Sequence, residues 1–234
     1  MLPLYSLIEK GKNMTSIITV FSRIVTMLLV FPLHESAHAL VAKWCGDDTA
    51  ERQGRISLNP FAHLDLMGSL LIMFTGFGWA KPVPVDPRRM KNQRAGIALT
   101  SLAGPLSNFI ASFVSMLAFV LIAKTESGYN AWISSQITPL ASGMLLLQYL
   151  SQVNIGLAMF NLIPFPPLDG FGVLRFFTGE KFERWYYNHQ QEASIGFFAV
   201  ILLMNYSKHS PLDIATSFVY SHMFSLVLKI AGIA

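Results

Sequence analysis

The chain has 234 residues, of which 53% are hydrophobic and only 13% are charged, and its mean hydropathy is +0.47. Soluble domains carry about 25% charged residues, so this composition excludes an ordinary soluble protein and indicates a multi-pass membrane protein. The net charge is +4. Because most basic residues lie in short loops, membrane topology accounts for that charge without a nucleic-acid partner.

Five apolar segments are predicted as helices. The first covers about 15–43 and is predicted to be a retained signal-anchor, with a kink at Pro32 because proline removes a backbone hydrogen bond. The second, about 64–80, contains three glycines and is shorter than the roughly 20 residues that a membrane-spanning helix requires. The remaining segments are 97–123, 135–162, and 194–206 continuing to 212–231.

The loops between these segments differ in their basic residues. The 81–94 loop contains five lysines and arginines and the 163–193 segment contains three, whereas 124–134 contains a single lysine. By the positive-inside rule, the first two and the basic 43–63 loop are predicted to be cytoplasmic, and 124–134 is predicted to lie outside. Since 64–80 connects two cytoplasmic loops, it is predicted to be re-entrant and covered by protein or water.

The first apolar segment leads into the sequence His34-Glu35-Ser36-Ala37-His38. HExxH on a helix is typical of zinc hydrolases, because residues four apart share a helix face and His34 and His38 can bind one metal ion. Glu35 can then take a proton from the water that the metal activates. The alternative is a chance match with two solvated histidines. A charged cluster is costly in hydrocarbon unless it faces protein or water, so the membrane setting favours hydrolysis inside or at the edge of the bilayer.

A catalytic zinc ion usually has three protein ligands and a water, so a third ligand is expected. Three aspartates lie in apparent loops: Asp47, Asp48 and Asp86. Asp169 follows a proline-rich turn, and this turn is predicted to lie on the same side of the membrane as His34. Its carboxylate can point back from the turn toward the helices. An Asp-Gly turn that needs no metal is the alternative. Cys45 is the single cysteine, so the chain cannot form an intramolecular disulfide. A buried or interfacial position of Cys45 is favoured over a role as a thiolate ligand.

Three separated motifs occur in one order along the chain. They are His34-Glu35-Ser36-Ala37-His38, Gly104-Pro105-Leu106-Ser107-Asn108, and Asn161-Leu162-Ile163-Pro164 followed by Pro167-Leu168-Asp169-Gly170. Together they resemble the site-2 protease family of intramembrane zinc metalloproteases, over about 30–175 of the chain. The stretches 58–65 and 78–85 resemble the small bacterial and archaeal members of that family.

The resemblance implies that His34, His38 and Asp169 bind one zinc ion and that Glu35 is the catalytic base. It also implies a three-helix core, formed by the apolar segments 15–43, 97–123 and 135–162. The chain departs from the family pattern in two places. Many members carry a PDZ or CBS domain, for which there is no room here, and Leu66 stands where small members more often have proline.

Three further polar residues each have a functional and a structural interpretation, and a fourth, Asn154, has only a structural one. By the resemblance, Asn161 faces the active site, where its amide N–H can stabilise an oxyanion; an interhelical hydrogen bond is the alternative. For Asn108, hydrogen bonding between helices is favoured over catalysis. For His63, a loop or capping hydrogen bond is favoured over a place at the metal site. Asn154 is predicted to form another hydrogen bond within the bundle.

A short strand is predicted at 53–58, between the HExxH helix and the 64–80 segment. A substrate helix must unwind before its peptide bond can reach zinc. We expect an exposed strand edge to supply hydrogen-bond partners to the unwound stretch.

The predicted fold class is an all-α multi-pass membrane protein. Its parts are a three-helix catalytic core, a re-entrant or β-hairpin-like segment, and additional C-terminal helices. We predict one membrane-embedded metalloprotease domain over 1–234, with its core at about 15–175 and C-terminal membrane helices within 176–234.

The predicted function is zinc-dependent endoproteolysis in or near transmembrane segments of membrane-protein substrates, with one Zn²⁺ per chain. The predicted location is a prokaryotic cell membrane, with the active site toward the cytoplasm. The expected partners are a transmembrane substrate and the lipid bilayer, with no nucleic acid. Two other functions are weighed against this one: an inactive relative that binds membrane segments as an adaptor and, with less support, a metal or proton transporter.

Overall fold

The computed structural model describes residues 21, 23–75, 78–134, 138–193, 195–197 and 210–233. Its main helices are α1 (Arg23–Trp44), α2 (Thr49–Arg52), α3 (Leu66–Thr75), α4 (Gln93–Ala123), α5 (Glu126–Ile133), α6 (Pro139–Asn161), α7 (Asp169–Phe177), α8 (Glu180–Asn188) and α9 (Pro211–Ile230). Single 3₁₀ turns lie at Pro60–Ala62 and Pro87–Arg89. The described residues contain no strand, which confirms the predicted all-α class.

Three of the described helices, α1, α4 and α6, are long and apolar enough to cross a membrane. They are the three helices of the predicted core. Side-chain caps set where two of them begin: Asn92 accepts from the N–H of Ala95, and Thr138 accepts from the N–H of Ala141. Because of the Asn92 cap, α4 begins four residues earlier than the predicted segment at 97.

The HExxH helix α1 contains a π-helical turn, Thr26–Val30, followed by a regular α-helical part from Phe31. The N–H of Phe31 donates to the carbonyl of Thr26. Pro32, which has no N–H, lies just after the π-helical turn, so the missing donor falls where the helix is already irregular. A kink was predicted at Pro32, and the observed irregularity is a π-helical turn just before that residue. The α-helical part from Phe31, which carries the HExxH motif, is regular.

α4 is the central helix of the fold and packs against α1, α6 and α7. Away from the histidines, α4, α5, α6 and α9 enclose an apolar core that includes Met116, Phe119, Met144 and Val227. The predicted helix at 212–231 corresponds to α9. Most of the predicted helix at 194–206 falls outside the described residues.

The described parts of the 64–80 segment double back on each other beside α1. The re-entrant path, which is defined relative to the membrane, stays a prediction. α3 has ten residues, or about 15 Å at the usual rise per residue, which is half of a hydrocarbon core of about 30 Å. After α3 the chain returns without regular secondary structure. A Cβ atom at Gly68 would overlap the carbonyl of Trp79, so the glycine permits this close return. Arg23 donates to the carbonyl of Met73 at 2.8 Å and ties the end of α3 to the start of α1.

The prediction of a strand at 53–58 is wrong, because these residues form a turn followed by irregular chain. Gly54 adopts a φ of +67°, which turns the chain after α2. The carbonyl of Ser57 accepts hydrogen bonds from the Ser36 hydroxyl and from His63 Nε2, the latter at 2.7 Å. The expected loop hydrogen bond of His63 is therefore present. The Ser57 carbonyl is therefore already bonded and is not open to pairing with a substrate strand, as the strand prediction required. The predicted β-hairpin-like segment is absent from the described residues.

The two basic loops on either side of α3 lie together at one end of the bundle. The N–H of Lys91 donates to the carbonyl of Cys45 at 2.9 Å, and Arg89 pairs with Asp48 at 2.9 Å. Their position at the same end of the helix bundle agrees with the prediction, made from their basic residues, that both loops lie on one side of the membrane.

Candidate metal centre

The two histidines of the motif lie on the face of α1 that packs against α4. His34 and His38 are 7% and 8% exposed, and their Nε2 atoms are 3.0 Å apart. The four-residue spacing on a regular helix produces this arrangement, as expected from the sequence. Both side chains are therefore removed from solvent and directed at one point.

Asp169, the first residue of α7, reaches the same point from the turn after α6. Its Oδ2 atom lies 3.2 Å from Nε2 of His34 and 3.4 Å from Nε2 of His38. A Cβ atom at Gly170 would overlap the carbonyl of Leu162, so glycine at this position allows the chain to turn back toward the helices. The structure thus brings together the three residues predicted as metal ligands.

Each imidazole uses its Nδ1 atom for a hydrogen bond away from this point. Nδ1 of His38 lies 2.7 Å from the carbonyl of Thr100, and Nδ1 of His34 lies 2.6 Å from the amide oxygen of Asn108. Both oxygens only accept, so each Nδ1 carries the hydrogen and each Nε2 keeps a free lone pair. The hydrogen bond expected of Asn108 between helices is present, and its partner is a candidate metal ligand.

When both imidazoles are neutral, three buried acceptor atoms consequently converge with no hydrogen between them. The two Nε2 atoms and Oδ2 of Asp169 lie within 4.8 Å of one another, and that Oδ2 has no hydrogen-bond partner among the described residues. Facing lone pairs in a buried site are unfavourable unless a cation lies between them. Two imidazole nitrogens and one carboxylate oxygen form a common catalytic zinc-binding set, so this group fits a zinc ion.

The Asp169 carboxyl is ionised at neutral pH. Burial raises the pKa of this carboxyl, but its contacts with His34 and His38 outweigh burial and lower the pKa from 3.8 to about 2. The group therefore supplies one negative charge to the candidate metal centre.

Glu35 lies beside the histidines and is held by the returning chain after α3. Its Oε2 atom accepts a hydrogen bond from the backbone N–H of Val83 at 3.1 Å. This contact was not predicted, because every residue except proline has a backbone N–H and no residue pattern marks the one that binds Glu35. The 78–85 segment thereby forms part of the site.

A cavity of about 630 Å³ opens beside the group and is bordered by Glu35, both histidines and Asp169. Its walls are mostly apolar and include Phe31, Trp79, Val83, Leu157, Phe160 and Leu168. The volume lies within the range of about 300–1,000 Å³ that is usual for ligand sites. An apolar side chain of a bound peptide would be accommodated here.

Asn161 also borders this cavity. Its Nδ2 atom donates to the carbonyl of Leu157, within the same helix, at 3.0 Å. The observed bond is thus intrahelical, not the interhelical bond weighed as the alternative. The oxyanion role of Asn161 stays a prediction.

The other candidate ligands do not join the convergent group. Within the ranges that the structure describes, that group lacks Asp47, Asp48, Asp86, His63 and Cys45. Asp48 pairs with Arg52, and Asp86 pairs with Arg88. Burial raises the pKa of the Cys45 thiol, which disfavours the thiolate form that binds zinc.

Comparison with known proteins agrees with this site. The profile of "Peptidase family M50" matches residues 22–205. "Putative zinc metalloprotease YwhC" of Bacillus subtilis is 42% identical over 154 residues, which are 64% of this chain and 66% of that protein. "Putative zinc metalloprotease Rip2" of Mycolicibacterium smegmatis is 30% identical over 158 residues, 63% of this chain and 53% of that protein.

The chain thus spans between about half and two thirds of the length of these two relatives. No solved structure shows significant similarity to it. The profile match covers most of the chain and confirms the resemblance drawn from the three motifs. The chain belongs to peptidase family M50, the site-2 protease family.

Proposed function

We propose that this protein is a zinc-dependent endopeptidase that hydrolyses peptide bonds in or near the transmembrane segments of membrane proteins. The proposal rests chiefly on one observation: three buried acceptor atoms converge next to the Glu35 carboxylate and a large, mainly apolar cavity. The family membership and the three apolar helices support the same chemistry in a membrane setting.

In this proposal His34, His38 and Asp169 hold one zinc ion. A bound zinc ion would polarise the scissile carbonyl and make a water molecule more acidic. Glu35 takes the proton from the attacking water and passes it to the leaving nitrogen. The N–H of Val83 keeps the Glu35 carboxylate beside the cavity, where the substrate carbonyl is bound.

We further propose that the metal centre faces the cytoplasm of a prokaryotic cell. The loops at its end of the bundle are basic: Lys43, Arg52, Arg55, Lys81, Arg88, Arg89, Lys91 and Arg94. Short cytoplasmic loops of membrane proteins are enriched in lysine and arginine. The substrate bond would then be cut near the inner surface of the bilayer.

Removal of zinc is the primary test. The purified chain, reconstituted in liposomes with a labelled single-span membrane peptide, is expected to cleave it within or beside the apolar stretch. Treatment with a zinc chelator should abolish cleavage, and one equivalent of Zn²⁺ should restore it, because in this proposal the ion is what would polarise the scissile carbonyl and acidify the water. Mass spectrometry of the products locates the cut.

Cleavage that survives complete removal of zinc would reject this function. Binding of the peptide by the zinc-loaded protein without cleavage would indicate an adaptor. Zinc or proton flux across the liposome membrane would indicate a transporter.

Asn161→Leu tests the oxyanion role. If its amide donates to the oxygen that becomes negative during attack, the variant should lose about 100-fold in kcat, since loss of one such donor costs about 10²–10³-fold. KM and zinc affinity should change little. Steady-state kinetics on the labelled peptide measures both constants. An unchanged kcat would mean that the bond to Leu157 is all that this amide provides.

A further inference from the structure

The two candidate histidine ligands are held by different kinds of acceptor. His38 donates from Nδ1 to a backbone carbonyl, that of Thr100, which cannot change into a donor. His34 donates to the side-chain amide of Asn108, whose oxygen and nitrogen exchange places on a half-turn of the amide. The tautomer of His34 therefore depends on which way the Asn108 amide points.

A second asparagine controls that orientation. Nδ2 of Asn108 donates to Oδ1 of Asn154 on α6 at 2.7 Å. Nδ2 of Asn154 in turn donates to the carbonyl of Leu150, in its own helix, at 2.8 Å. The backbone carbonyl only accepts, so it determines the orientation of Asn154, then of Asn108, and finally the position of the proton on His34.

The whole series is buried. Asn108 is 0% exposed and Asn154 is 2% exposed, so water cannot replace a lost partner. If Asn108 turned over, its NH₂ group would face Nδ1 of His34, and the ring proton would move to Nε2. A proton at Nε2 blocks the lone pair that points at Asp169 and His38.

We propose that Asn154 is a positioning residue for the metal centre, two hydrogen bonds away from the His34 ring. By holding the Asn108 amide, it keeps the proton of His34 on Nδ1 and Nε2 free to bind the metal. This inference rests on the zinc site of the proposed function. It predicts that a residue on α6 whose described hydrogen bonds reach only Asn108 and Leu150 sets zinc affinity.

The test is the zinc affinity of Asn154→Leu in the purified full chain, measured by competition with a chromophoric chelator. Loss of a hydrogen-bond partner behind a metal-binding histidine lowers metal affinity by about 10–100-fold, and we expect a loss of at least tenfold here. ¹⁵N NMR of the metal-free protein should show proton transfer toward Nε2 of His34. Should Asn154→Leu fail to fold, Asn154→Ala removes the same acceptor without added bulk.

Two variants serve as controls. Asn154→Asp has the same shape, and its protonated carboxyl can donate to the Leu150 carbonyl while Oδ1 accepts from Asn108, so zinc affinity should stay within about threefold of wild type. Ser112→Ala removes a different buried bond between α4 and α6, from Ser112 to the carbonyl of Ser151 at 2.8 Å. It is expected to leave zinc affinity unchanged.

Wild-type zinc affinity in Asn154→Leu would overturn the inference. So would a loss of zinc affinity in Ser112→Ala as large as that in Asn154→Leu. Neither result would contradict the proposed function. Failure of the wild-type chain to bind zinc would overturn both. Tenfold weaker binding in Asn154→Leu, with normal binding in the two controls, would establish it.

Discussion

Glu35→Gln is expected to bind zinc as tightly as the wild type and to cleave the labelled membrane peptide about 10²–10⁴-fold more slowly. A positioned general base contributes about 10²–10⁴-fold to rate, and glutamine cannot take the proton. The amide oxygen of glutamine can still accept from the N–H of Val83, which Glu35 does now at 3.1 Å. The local structure should therefore persist while the chemistry stops.

The measurement pairs initial cleavage rates with zinc content by mass spectrometry. Glu51→Gln is the matched control, because Glu51 is a half-exposed carboxylate paired with Lys43. Such surface pairs contribute little, so this variant should cleave normally. Substantial turnover by Glu35→Gln with zinc bound would remove Glu35 from the role of base. Loss of zinc along with activity would instead give it a structural role.

Gly104→Ala is expected to lower zinc affinity by at least about 100-fold, although it adds only one methyl group. A Cβ atom at Gly104 would lie 2.5 Å from Cε1 of His34 and 2.6 Å from Cε1 of His38, and closer still to Nε2 of His38. Carbon atoms in contact are normally about 3.5–4.0 Å apart. Either α4 moves away from α1 or the imidazoles rotate, and both changes disperse the three metal-binding atoms.

Gly143→Ala is the control for this effect. Gly143 lies in α6, and a Cβ atom there meets nothing within 4 Å. Alanine is favoured over glycine in a helix by about 1 kcal/mol, so this variant should be at least as stable as the wild type. Zinc affinity is compared by chelator competition and stability by thermal melting. Wild-type zinc affinity in Gly104→Ala would show that the contact between α4 and the histidines is not needed for metal binding.

The features that sequence pattern predicted well are local in the chain. The spacing of His34 and His38 places them on one face of any regular helix. The apolar runs predicted the C-terminal ends of the three candidate spanning helices within one residue, and α4 begins four residues earlier than predicted because of the Asn92 cap. The predicted start of the first helix at 15 lies outside the described residues. Each of these properties depends on neighbours within a few residues, which the sequence displays directly.

The predictions that failed or were missed depend on contacts between distant segments. The strand at 53–58 was wrong because Gly54 turns the chain and the Ser57 carbonyl is already bonded to Ser36 and His63. The contact of Val83 with Glu35 uses a backbone N–H, which leaves no mark in the residue pattern.

The sequence by itself determined the membrane class, the candidate base Glu35 and the pair of histidines, because composition and helical spacing are sufficient for these. Asp169 was named from the sequence as the third ligand only through the resemblance. Only the tertiary structure decided that its carboxylate meets both imidazoles and that Asn108, itself bonded to Asn154, is hydrogen-bonded to the His34 ring. The physical reason is that convergence and proton position depend on the packing of α1, α4, α6 and α7, which local residue patterns do not specify.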